Sequence, residues 1–159
     1  EPNPAEDLSG MDVARKALIL ARELGLPLSL ADVRVAPLVD LDLEPGAGVE
    51  AFFEALEGAD ETFGRWRDGV TAEGKVIRYL ARIDPDPGSG KPVVTVGPMA
   101  VAPDHPSTRL RGTEAFVAFT TDRFQEHPLL VQGSGAGGAV TAAGVLADIL
   151  KVSMTLRGR

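Results

Sequence analysis

The chain has no cysteine, which excludes disulfides, thiolate catalysis and thiolate metal sites. That absence fits a reducing compartment, and the expected location is cytoplasmic. No apolar run approaches the roughly 20 residues that span a bilayer, so no integral membrane segment is expected. No basic stretch leads into an apolar one near the start, so no signal peptide is visible. Lysine and arginine number 16 against 23 aspartates and glutamates, for a net charge of -7, and they form no block. Such a balance repels phosphate backbone, so nucleic acid is not an expected partner. There are only two histidines, His105 and His127, each followed by proline. Neither has a carboxylate or second histidine at ligand spacing, so both read as exposed loop residues and no metal site is expected. An initiator methionine is also missing, from which a processed product or a piece of a longer protein is expected.

What is present is ordinary for a globular chain. Its 159 residues are 44% hydrophobic and 25% charged, enough for one domain, or a domain with an appendage, to bury a core. Residues 11–25 read as an amphipathic helix, with Val13, Ala17, Leu20, Ala21 and Leu24 on one stripe. Ser9 and Asp12 resemble a capping box, and Gly25 is a stop signal. Residues 33–39 read as a strand whose later half Pro37 demotes to an edge or bulge. Two short helices are expected over 48–58 and 60–73, split by Gly58. Their apolar faces are Val49, Phe52, Phe53 and Leu56, then Phe63, Trp66 and Val70. Residues 75–84 and 92–102 form a β-hairpin around the turn 85–91. Strands are expected over 113–124 and 128–132, and a small-residue helix over 139–154. Hairpin-linked strands beside clustered helices predict an α+β fold, a largely antiparallel or mixed sheet covered on one face by helices.

Gly133, Gly135 and Gly138 satisfy G-x-G-x-x-G between a strand and a helix, the local context of a dinucleotide fingerprint. The rest of that unit is absent from the 21 residues that follow, which hold no second parallel strand and no suitably placed acid. The loop alternatively permits a tight turn and close packing. Its backbone N–H groups also suit an anion held mainly elsewhere.

The opening segment carries the chemistry. Asp12 and Lys16 share one helical face at i,i+4, and Glu1, Glu6 and Asp7 precede them where Pro2 and Pro4 impose extended or turn backbone. A solvated ion pair is the plain alternative. Against it, Ile19 and Leu20 continue the face, so Lys16 is expected to be part-buried. The carboxylates also outnumber Lys16 and Arg15, which leaves room for a substrate ammonium.

The run Asn3-Pro4-x-x-Asp7-Leu8-x-Gly10-x-Asp12-x-x-x-Lys16, with Glu1-Pro2 ahead of it, resembles the signature of homoserine dehydrogenases. The closing residues 133–150 and the hairpin region 73–84 are similar to the same family. The form resembled is one at the C-terminal end of fused aspartokinase–homoserine dehydrogenases, or one lacking a trailing regulatory domain. The resemblance implies NAD- or NADP-dependent interconversion of L-aspartate 4-semialdehyde and L-homoserine, towards threonine, methionine and isoleucine. It assigns proton transfer to Lys16, substrate binding to Glu1, Asp7 and Asp12, and a cofactor contact to Gly137. It further implies that residues 1–132 form a substrate-binding, catalytic and dimerisation domain, acting as a homodimer through the sheet. Residues 133–159 would be a glycine loop and helix packing on a nucleotide-binding Rossmann domain not contained in the chain. That missing part would hold most of the cofactor, a second lysine and a monovalent-cation site, so the chain alone is expected to be inactive. A non-catalytic dimerisation or interaction module is the alternative reading. A lyase using Lys16 as a Schiff-base amine is a third.

Overall fold

The computed structural model describes residues 4–41, 43, 46–85 and 92–157. It divides into two compact units, Glu1–Pro103 and Asp104–Arg159.

The first unit opens with a short helix, α1 (Pro4–Leu8), followed by α2 (Met11–Glu23). Extended or turn backbone was expected around Pro4, but proline is tolerated in the first turn of a helix, where its missing N–H has no partner to lose. The expected capping box on α2 is not formed either. Its N-cap is Gly10, at φ 79°, and it makes no side-chain cap. Ser9 Oγ instead donates to the Glu6 carbonyl at 2.5 Å and accepts from Met11 N at 3.3 Å. At the far end the stop signal holds. Gly25 (φ 82°) donates to Arg22 and Leu26 to Ala21, a Schellman closure.

The buried stripe of α2 is Ala14, Ala17, Leu18 and Ala21, rotated from the one expected, and Leu20 and Leu24 are exposed. Three alanines among four contacts let the helix lie close on the sheet, and Leu18 fills the remaining space. Their partners are Val33, Val94 and Val96, with Tyr79 and Ile83 packed at the margin.

A 3-10 turn, Leu30–Asp32, leads into β1 (Val33–Val35). The Asp32 carboxylate accepts from the Ser29 hydroxyl at 2.6 Å and from the Ser29 backbone N–H at 2.8 Å, which holds its pKa below the ordinary carboxylate range. The strand is shorter than expected and stops before Pro37.

One uninterrupted helix, α3 (Val49–Ala72), replaces the two expected over this region. An interior glycine costs about 1 kcal/mol against alanine, a penalty that a 24-residue helix anchored by buried Phe52 and Val70 absorbs at Gly58. The break comes at Gly74 (φ 71°), where the Gly74 and Lys75 amides close on Thr71 and Val70. Of the expected apolar faces, Val49, Phe53 and Trp66 are exposed.

The hairpin is formed by β2 (Val76–Pro85) and β3 (Pro92–Val101), antiparallel with Val76 opposite Val101 and Ile83 opposite Val94. Its expected turn falls largely at residues 86–91, outside the described residues. β1 lies parallel to β3, so the sheet is mixed, in the order β1-β3-β2. The α+β expectation is met, with α2 covering the face that carries Val94 and Val96.

In the second unit a 3-10 turn, Pro106–Arg109, precedes β4 (Glu114–Phe119), which pairs antiparallel with β5 (Leu129–Ser134). His127 is an exposed loop residue, as expected. His105 is not: it is half-buried, caps the 3-10 turn by accepting from Ser107 N, and sits edge-on to Phe116. The unit closes with α4 (Gly138–Arg157). By length and composition alone, α4 is the one helix among the described residues apolar enough to cross a membrane. The expectation that no run approaches that length is therefore corrected. Its alanines, glycine and threonines dilute the pattern in sequence, while 20 continuous helical residues reach the length.

Candidate active site

The loop-to-helix junction of the first unit carries three of the expected site residues, of which Asp12 and Lys16 are in contact. Asp7 lies in α1, and Asp12 and Lys16 lie one turn apart on α2. Lys16 Nζ is 2.7 Å from Asp12 Oδ2. The expectation of a part-buried lysine is overturned, because its side chain is 71% exposed, that of Asp12 is 62% exposed, and Ile19 is 60% exposed. The cause is the rotation of α2: the Ala14–Ala17–Leu18–Ala21 stripe meets the sheet, so the 12–16–19 face looks away from it.

Arg15 pairs with Glu6 at 3.4 Å, while among the described residues Asp7 has no cationic partner. The junction thus presents an ammonium held by one carboxylate and a second carboxylate with capacity to spare. Glu1 lies outside the described residues.

Gly137 belongs to the second unit. It adopts φ 124°, a region closed to side chains, and its carbonyl accepts from Thr141 N at 3.0 Å in the first turn of α4. The other glycines of the loop divide by role. Gly135 donates to the Thr113 carbonyl at 2.7 Å, and a Cβ there would press on Ala115 and Thr113. It is therefore required by packing, whereas a Cβ at Gly133, Gly137 or Gly138 would meet open space. Among the described residues no group of three or more His, Asp or Glu side chains is arranged to hold a metal ion.

A family model described as homoserine dehydrogenase matches residues 1–150. The chain belongs to the homoserine dehydrogenase family. It is 43% identical over 156 residues to the chloroplastic bifunctional aspartokinase/homoserine dehydrogenase 2 of Zea mays, covering 98% of this chain and 17% of that protein. It is 41% identical over 153 residues to the homoserine dehydrogenase of Paracoccidioides brasiliensis, covering 96% of this chain and 40% of that one. Among solved structures, a Candida auris protein of unknown function superposes with a TM-score of 0.84 at 41% identity, over 97% of this chain and 42% of that chain. The homoserine dehydrogenase of Staphylococcus aureus gives 0.72 at 18% identity, over 99% of this chain and 34% of that chain, a likeness of fold. This homoserine dehydrogenase segment thus spans well under half the length of these relatives.

Tyr79 was missed in the reading of the sequence as a residue bearing on the site. It is the chain's one tyrosine, and it lies on the strand face that meets α2. Only a register for β2 could have signalled it.

Proposed function

We propose that this chain supplies the substrate side of a homoserine dehydrogenase active site, interconverting L-aspartate 4-semialdehyde and L-homoserine in the full-length protein. The observation that carries the reading is the Lys16–Asp12 pair, solvent-facing at 2.7 Å on the first turns of α2. Asp7, on the preceding α1, has no cationic partner among the described residues. Reduction of an aldehyde leaves alkoxide charge, which a nearby ammonium stabilises and protonates. Lys16 does this at the substrate oxygen, with Asp12 holding the ammonium in place through their ion pair. Asp7 and Asp12, together with Glu1, receive the substrate's ammonium and hydroxyl. Exposure of the pair suits a surface that a second domain closes over, since expelled water would strengthen both interactions.

The nicotinamide cofactor, NADP or NAD, supplies or accepts the hydride and is held mainly by a nucleotide-binding domain outside these residues. Gly137 suits a contact with it, because its backbone conformation demands glycine and nothing crowds it. Residues 133–159 form the interface with that domain, and residues 1–132 form the catalytic and dimerising part. The uncovered side chains of α4 support a protein partner for this helix. They include Leu146, Ile149 and Leu150, and the Asp148–Lys151 pair at 3.5 Å makes a lipid environment less suitable. Exposed Leu129, Leu130 and Val131 on β5 support a homodimer through the sheet. A cytoplasmic location suits the absence of cysteine, although the plant relatives carry chloroplastic names.

Lys16→Ala in the full-length protein tests the reading. Turnover is expected to fall about 10²–10⁴-fold, and near wild-type reduction of aspartate semialdehyde would refute it. Calorimetry of the 159-residue chain with NADPH is expected to show no tight binding; micromolar affinity would overturn the division of labour.

A further inference from the structure

Tyr79 stands in β2, and its hydroxyl donates to the Ala36 carbonyl at 2.7 Å. The same hydroxyl lies against Gly10, where an added Cβ would overlap it and fall 2.7 Å from the ring carbon Cζ. Gly10 is the N-cap of α2, and its carbonyl accepts the first helical bond, from Ala14 N at 2.9 Å. Two residues earlier the Leu8 carbonyl accepts from Leu38 N at 3.1 Å. The joint between α1 and α2 is therefore gripped twice, at Leu8 by the segment after β1 and at Gly10 by Tyr79 of β2, whose hydroxyl bonds that segment. That segment is itself pinned to β3 through Ala36 N and the Val96 carbonyl at 2.8 Å. Asp7 lies one residue before the first grip, Asp12 two residues after the second, and Lys16 one turn further on.

The N-cap itself has no side chain to cap α2. Ser9 Oγ accepts from Met11 N at a long 3.3 Å while turning back to donate to the Glu6 carbonyl. Where the helix begins is set by what presses on Gly10, and the helix carries any displacement rigidly to Lys16. A misplacement near 1 Å at a reacting group costs on the order of 10²-fold in rate.

We propose that Tyr79 is a positioning residue: its hydroxyl, wedged between the Ala36 carbonyl and Gly10, sets the start of α2 and so the stand of Asp12 and Lys16. The inference rests on the role given to Lys16 above.

The test is a double-mutant cycle in the full-length enzyme, with Tyr79→Phe, Lys16→Ala and the pair, reading kcat, KM and the melting midpoint. Tyr79→Phe keeps the ring in place, so it is expected to fold and to melt within about 2–4 °C of wild type. Its kcat is expected to fall about tenfold, with KM for NADPH changed less than about twofold. In the Lys16→Ala background the same substitution is expected to change kcat less than about twofold, because the group it positions is gone. A purely structural role predicts the same loss in both backgrounds, and that result would overturn the inference. So would a normal Tyr79→Phe beside a crippled Lys16→Ala. Wild-type turnover of Lys16→Ala would remove the role of Lys16 and the inference with it.

Discussion

The two units spend their apolar residues differently. In the first, Ala14, Ala17, Leu18, Ala21, Val33, Val94 and Val96 close into a core, with Val94 fully buried. In the second, no hydrophobic residue among those described is buried, and α4 alone leaves eight large apolar side chains exposed. α4 is the more apolar of the two helices, yet only α2 has its apolar stripe packed on a sheet face. Apolar content states that a surface must be covered, and the neighbouring elements decide whether the same chain covers it. A two-stranded sheet such as β4–β5 is also marginal by itself.

That contrast can be broken by experiment. Val94→Asp places a carboxylate in the closed core and is expected to destabilise the chain by roughly 4 kcal/mol or more, measured by urea denaturation. A loss under about 1 kcal/mol would mean that the first unit is no better packed than the second. Gly10→Ala combines left-handed backbone with overlap at Tyr79 and is expected to cost about 2–3 kcal/mol by the same measurement. Ile149→Ser on α4 is expected to change the stability of the 159-residue chain by less than about 0.5 kcal/mol. A cost above about 2 kcal/mol would show that α4 is covered within the chain and would erase the contrast.

The smallest effect concerns pH. Burial raises the Tyr79 pKa above its ordinary 10.0, so the folded state favours the neutral hydroxyl. Its contribution is whole below pH 10.0 and is lost as pH rises towards the folded value. Wild-type stability is therefore expected to fall more steeply above that pH than that of Tyr79→Phe, as read from melting midpoints between pH 9 and about pH 11.

Much of the layout was legible in the sequence. Alternation and a glycine-proline turn marked the β2–β3 hairpin, and Gly25 marked the end of α2, because these signals act over a few residues. The helix over Val49–Ala72 was not legible as one element, since Gly58 weakens a helix locally while Phe52 and Val70 secure it from a distance. His105 showed no ligand partner in sequence because its role is to cap Ser107, a matter of turn geometry. In the candidate site, the spacing of Asp12 and Lys16 already implied an ion pair, and the structure forms it. The exposure of that pair was misjudged, because Ile19 and Leu20 looked like a core stripe until the alanines proved to be the contact face.

The sequence by itself determined which residues share a turn of helix, where strands alternate, and that one ammonium stands among several carboxylates. These follow from backbone periodicity and charge, which neighbours along the chain settle. Only the tertiary structure decided which face of α2 meets the sheet and that Tyr79 presses on Gly10. Both depend on contacts between segments far apart in the chain, where shape and close packing choose among faces that periodicity leaves equivalent.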